Sequence, residues 1–183
     1  MHVMIDLETL GTRPGSAIAQ IGAVLFEPVY GGKILNGKAF NQYIRPDDRV
    51  NFDTDTIAWW LQQSPDGRKR LAEGMSQGVT EAEALQELAR WPMLTHNLTW
   101  EAVGGVWAHG PTFDVNLLHE AFARNGLEPA WSYRAPRDTR TLYFLANGGQ
   151  PPEIDWTGFV KHDAKDDAIA QAMQVQIAMG MMR

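Results

Sequence analysis

The sequence predicts an α/β fold, a mixed β-sheet with helices packed on its faces. Three observations predict it. Short apolar or alternating segments, separated by Gly and Pro, fill the chain as far as Ile44. Helical spacing takes over from Asp53. A later strand runs directly into a helix, the order expected of a sheet whose faces are covered. The chain has 183 residues with no fixed-period repeat and no linker-like stretch, so residues 1–183 are expected to form one domain large enough to bury a full core.

The elements follow in order. Val3 to Leu7 reads as a short buried strand and Ile18 to Phe26 as a second, with Gly11, Pro14 and Gly15 in the loop between them. Gly31-Gly32 turns the chain into a third strand near Lys38 to Ile44, where Phe40, Gln42 and Ile44 alternate with Asn41, Tyr43 and Arg45. Three strands with short links predict an antiparallel meander. Asp53 to Gln63 then reads as a helix, and Pro65 opens another through Leu71. Thr80 with Glu83 three residues on is a capping-box pattern, starting a helix to about Trp91. Val103 to Ala108 is a strand. Phe113, Leu117, Ala121 and Phe122 fall at helical spacing up to Gly126. After a short extended piece, Asp138 or Thr139 caps a helix through about Leu145. Gly148 to Pro152 is a loop, and Asp163 to Met182 is the last helix.

Composition excludes several classes. With 16 Lys and Arg against 22 Asp and Glu, the formal charge is −6, so this is not a basic protein that coats nucleic acid. Seven Trp, seven Phe and four Tyr argue against disorder. The absence of Cys removes disulfides, Cys-ligated zinc and thiol catalysis. The longest apolar stretch, Ala17 to Phe26, is interrupted by Gln20 and falls far short of the ~20 residues that cross a bilayer. The amino terminus shows no basic region or cleavage site. The expectation is a soluble cytoplasmic protein without a membrane partner.

Three acidic segments carry the chemistry. Asp6 and Glu8 sit at i and i+2 in the first strand, so they share a face while Leu7 points to the other. Adjacent carboxylates repel and favour a cation, and carboxylate oxygens suit hard ions such as Mg²⁺ or Mn²⁺. A strand ending in two solvated acids is the plainer alternative. Asp114 follows a strand and a Gly-Pro turn, in the first turn of a helix, where an acid also simply complements the helix dipole. His162, Asp163, Asp166 and Asp167 crowd one loop-to-helix junction. Asp163 or Asp166 can serve as a cap there, and a neutral His suits general-base chemistry.

Taken together these segments resemble the DEDDh family of 3'-5' exonucleases within the DnaQ-like superfamily. Its motifs are D-x-E, a single Asp after a strand, and H-x4-D. Here they read Asp6/Glu8, Asp114 and His162/Asp167, the fifth residue after His162 being Asp167 rather than Asp166. Ile18 to Val24, Thr56 to Trp60 with Gln63-Ser64-Pro65, and Arg137 to Leu142 further resemble the phage DexA, exonuclease VIII-like and Rv2179c-like group. The resemblance implies a ribonuclease H-like fold, a five-stranded mixed sheet flanked by helices. If the protein is phage-encoded, it would act in the host cytoplasm.

The resemblance also implies a chemistry. Asp6, Glu8, Asp114 and Asp167 would hold two divalent cations about 4 Å apart, Mg²⁺ with Mn²⁺ able to substitute. Asp6 would bridge both, Glu8 and Asp167 would complete the site beside the attacking water, and Asp114 would support the other. His162 would take the proton from that water. The substrate implied is a single-stranded DNA or RNA 3' end, DNA favoured, releasing nucleoside 5'-monophosphates. A non-cleaving 3'-end binding module is the competing reading, and no oligomeric partner is read from the sequence. Thr9 and Leu10 would meet the terminal nucleotide. Phe113 either stacks on a base or belongs to the core. Of Trp59 and Trp60, one is expected in the core. Arg13, Arg134, Arg137, Arg140, Lys161 and Lys165 are the basic residues available for phosphate, each equally readable as surface charge. Asp138 is expected to be a helix cap, and Met173, Met179, Met181 and Met182 to pack a helix.

Overall fold

The computed structural model describes residues 1–182. Its centre is a five-stranded mixed sheet in the order β3-β2-β1-β4-β5. β1 (His2–Thr9) pairs antiparallel with β2 (Ile18–Phe26), and β2 with β3 (Phe40–Tyr43). β1 pairs parallel with β4 (Val106–Ala108), which pairs parallel with β5 (Pro136–Asp138). The meander and the mixed sheet are therefore present. The third strand is shorter than its alternation suggests, because a 3-10 turn over Asn36–Lys38 precedes it and Ile44 makes only an isolated bridge to Val79. β4 begins at Val106, not Val103. The preceding residues close a 3-10 turn, with the Val103 N–H bonded to the Trp100 carbonyl.

Six helices surround the sheet: α1 (Thr54–Leu61), α2 (Pro65–Gln77), α3 (Glu81–His96), α4 (Asp114–Arg124), α5 (Thr139–Asn147) and α6 (Ala164–Met181). Their starts are chemical. Asp53, Ser64, Thr80, Asp138 and Asp163 each accept a first-turn backbone N–H. Thr80 and Glu83 close the reciprocal capping box. Two helices outrun their expected ends. α2 continues past Leu71 because Met75, one turn on, packs into the same apolar cluster. α3 continues through Pro92 to His96. Its last turn is anchored by Trp91, buried with its indole N–H on the Lys38 carbonyl, and is closed by Asn97 in the left-handed conformation.

The period of two along β1 decides which helix meets which side chain. Val3, Ile5 and Leu7 face one core with Leu85, Leu88, Leu117, Leu118 and Phe122 of α3 and α4. Met4 faces a second core with Leu142 and Tyr143 of α5 and Ala168, Ile169, Ala172 and Val175 of α6. Asp6 and Glu8 continue the parity of Met4, so they end β1 on the α6 side. Met173 and Met179 pack against this second core, whereas Met181 and Met182 are exposed.

Candidate active site

α6 can approach Asp6 because of what stands next to it on β2. Gly22 is the register partner of Asp6, and a Cβ there would collide with the Ala164 carbonyl at the start of α6. Gln20, the partner of Glu8, accepts the Ala164 N–H through Oε1 and donates from Nε2 to Asn41. The residue that interrupts the apolar run of the second strand is thus the bracket for α6. The Tyr43 hydroxyl bonds the capping carboxylate of Asp163 at 3.1 Å.

The junction before α6 brings His162 back over the sheet. His162 has φ 62°, a left-handed conformation costing about 1–2 kcal/mol for a residue with a Cβ. Its backbone N–H donates to Asp167 Oδ2 at 2.9 Å, which closes the turn. Donor-type atoms of Glu8, His162 and Asp167 all lie within 4.8 Å of one another. The His162 ring is flanked edge-on by Trp59, with centroids 4.9 Å apart, and by Trp60. Trp60 is the buried one, with its indole N–H on the Thr9 carbonyl, and Trp59 is 41% exposed.

Asp114 enters from the other side, as the first residue of α4 beyond β4, and is buried. Asp6, Glu8, Asp114 and Asp167 form one electrostatic unit. Burial, then repulsion from Asp114, Glu8 and Asp167, pushes the Asp6 carboxyl well above the usual carboxylate range. Glu8 is pushed up by burial and by Asp167, Asp163 and Asp114. Burial raises Asp114 to about 7, against the opposing pull of the Asp114 and Leu7 N–H groups and Arg140. Burial raises Asp167 to about 6, opposed by the His162 N–H. His162 itself is lowered by burial and by Lys161, which keeps its imidazole neutral. No Lys, Arg or His among the described residues forms an ion pair with any of the four acids. Clustered carboxylates that are buried or half-buried and lack a cation are the signature of an incomplete charge balance.

A cleft of ≈ 400 Å³ opens beside Glu8, lined by Leu7, Glu8, Thr9, Thr12, Asp55, Thr56, Trp59, Trp60 and Phe113. Phe113 both lines it and packs on the first core. Leu10 does not line it: it is buried beneath, against Trp60, Ala17 and Leu71. Asp138 accepts the N–H groups of Arg140 and Thr141, so it is a helix cap. Most of the basic residues are already engaged. Arg137 donates to the carbonyls of Arg134, Ala135 and Pro136, and Arg134 to the Tyr133 hydroxyl. Lys161 lies over the Trp156 ring and Lys165 pairs with Asp166. The guanidinium groups of Arg13 and Arg140 have no ion pair among the described residues. That of Arg140 lies across Gly110, whose φ of +101° and lack of a side chain leave room for it, on the turn that leads to Asp114.

Sequence reasoning passed over three residues that hold this arrangement: Gln20, Gly22 and Gln171. Gln171 donates from Nε2 to Asp6 Oδ1 at 2.7 Å. Its signal was present, a polar side chain one helical turn beyond Asp167 in a helix otherwise rich in Ala.

The chain is similar to known proteins over nearly its whole length. A family model described as the 3'-5' exoribonuclease Rv2179c-like domain matches residues 1–179. An exodeoxyribonuclease of Enterobacteria phage T4 is 24% identical over 207 aligned residues, spanning 96% of this chain and 88% of that protein. Among solved structures, cell-death related nuclease 4 superposes with a TM-score of 0.68 at 14% identity, covering 98% of this chain. This chain spans 64% of the length of that one. The nuclease domain of 3'hExo, a DEDDh family member bound to rAMP, superposes with a TM-score of 0.58 at 16% identity, over 96% of this chain and 90% of that one. The shared fold is the ribonuclease H-like one.

Proposed function

Because the chain belongs to the Rv2179c-like family of 3'-5' exoribonuclease domains and so is a 3'-5' exonuclease of nucleic acid, we propose that its 183 residues act as one domain that shortens single strands from the 3' end. DNA is the favoured substrate and the products are nucleoside 5'-monophosphates. The observation that carries this reading is the gathering of Glu8 and Asp167 around a histidine held in a strained turn, with Asp6 and Asp114 near enough to join their mutual repulsion and no described cation paired with any of the four.

The donor set fits divalent metal. It is all carboxylate oxygen, with Glu8 and Asp114 buried and Asp6 and Asp167 half-buried, and its charge is uncompensated, which suits two Mg²⁺, with Mn²⁺ as a substitute. Asp6, Glu8, Asp114 and Asp167 would hold them. When bound, such ions polarise the phosphoryl oxygens and acidify water.

The remaining work falls to the chain's own groups. His162, kept neutral by burial and Lys161, takes the proton of the attacking water at an imidazole nitrogen. The Trp59 and Trp60 edges restrict its ring. Thr9 and Phe113 line the place of the terminal nucleotide, with Leu10 supporting it from below through Trp60. Arg140 is the cation we assign to a substrate phosphate.

DNA is favoured because the phage relative, matched along nearly its whole length, is named an exodeoxyribonuclease. The family description, an exoribonuclease, supports the RNA reading. Matched DNA and RNA oligomers, blocked at one end or the other, decide between them. The expected result is stepwise loss from free 3' ends with Mg²⁺, faster on DNA, and none with EDTA. Loss from 5' ends, or undiminished cleavage in EDTA, would refute the proposal, and binding without cleavage would make the protein a 3'-end binding module.

A further inference from the structure

The Asp6 carboxylate has one hydrogen-bond partner among the described residues, and that partner lies 165 positions away in the chain. The Gln171 amide N–H donates to Asp6 Oδ1 at 2.7 Å. Gln171 follows Asp167 by one helical turn, so one face of α6 presents first a carboxylate and then an amide to the end of β1.

The surroundings of Gln171 do not otherwise call for an amide. Its helical neighbours Ala168, Ala170 and Ala172 are buried, and its Oε1 is buried without a hydrogen-bond partner among the described residues. A glutamine kept for packing or for tying helices together would satisfy both ends. Here one end is left unsatisfied while the other meets Asp6. Reversing the amide would set Oε1 against a carboxylate oxygen, so the orientation is dictated by Asp6. Asp6 also stands among three other acids that repel it, and an unrestrained carboxylate would rotate away from them.

We propose that Gln171 is a positioning residue for Asp6, fixing the carboxylate so that its remaining lone pairs face the space between Glu8, Asp114 and Asp167. The proposal rests on the reading of Asp6 as a metal ligand. Partners that orient a metal-binding carboxylate are commonly worth 10–100-fold in affinity or activity.

The test measures Mn²⁺ binding by calorimetry on the wild type, Gln171→Met, Gln171→Leu and Asp6→Asn, with thermal unfolding of each protein in EDTA. Met keeps the length of the side chain and Leu its bulk, so at least one variant should fold. The expected result is Mn²⁺ affinity ~10–100-fold weaker in both Gln171 variants, with metal-free unfolding no earlier than in the wild type. Turnover should fall at a fixed low Mn²⁺ concentration and recover as Mn²⁺ is raised, while KM for the oligonucleotide stays unchanged. Wild-type Mn²⁺ affinity in either folded variant would overturn the proposal. So would a drop in metal-free stability with affinity intact, which would make Gln171 a packing residue. A wild type that takes up no Mn²⁺ would instead overturn the metal reading of the four acids.

Discussion

Asp6 and His162 show how differently two groups of one site are built. Asp6 lies among acids and is destabilised by them in the metal-free protein. Asp6→Ala removes that repulsion along with the carboxylate. It should abolish cleavage while leaving thermal stability in EDTA equal to or above that of the wild type, read by circular dichroism alongside an oligonucleotide assay. Full activity in a folded Asp6→Ala protein would refute the role assigned to this residue. The backbone N–H of His162 bonds Asp167 while its ring has no hydrogen bond among the described residues, so the ring is free for proton transfer. His162→Ala should slow hydrolysis by ~10²-fold or more with Mn²⁺ binding largely kept. Its donor atoms stand within 4.8 Å of those of Glu8 and Asp167, so loss of Mn²⁺ binding in this variant would instead make His162 a ligand.

At the scale of elements, the site is a junction between the end of β1 and the start of α6. That junction was half legible in the sequence. The D-x-E pair at a strand end and the H-x4-D motif before a helix identify the two partners, because parity in a strand and spacing in a helix are local rules. What brings them into contact is not local. Gly22 of β2 clears the space in which the Ala164 carbonyl sits, and Gln20 of the same strand bonds the Ala164 N–H. Gly22→Ala should lift the start of α6 away from β2, costing about 1–3 kcal/mol of stability in a denaturant titration. Activity should fall disproportionately, because Asp167 moves relative to Glu8. Stability and activity equal to those of the wild type would show that the close approach is not needed. The overrun of α3 through Pro92 follows the same logic, with tertiary anchoring of Trp91 outweighing the local cost of a proline.

For the whole molecule, the concentration of buried acids links folding, protons and metal. Asp114 is raised to about 7 and Asp167 to about 6, each from an ordinary 3.8. The folded, metal-free protein therefore holds protons that the unfolded chain has released. The destabilisation from these two groups is absent below the ordinary carboxylate range, grows as pH rises from there towards 6 to 7, and is complete above about 7. Bound Mg²⁺ should relieve it and must compete with protons to bind. Thermal unfolding by fluorimetry should show a larger Mg²⁺-induced rise in Tm at about pH 8 than at about pH 5.5. Equal rises at both would mean that these carboxylates are not linked to the metal. Among the described residues no helix is long and apolar enough to cross a membrane.

The sequence by itself determined the class of fold, the strand order of the meander and most helix starts, and it nominated the four acids and the histidine proposed for the site. Periodicity, caps and motif spacing act within a few residues, so one chain suffices to read them. Only the tertiary structure decided that Leu10 lies beneath the cleft, that Arg140 has no ion pair among the described residues while Arg137 is consumed by backbone carbonyls, and that Gln171 meets Asp6. Each depends on which surfaces distant segments bury against one another. That follows from the packing of the whole core, a cooperative property that no local pattern encodes.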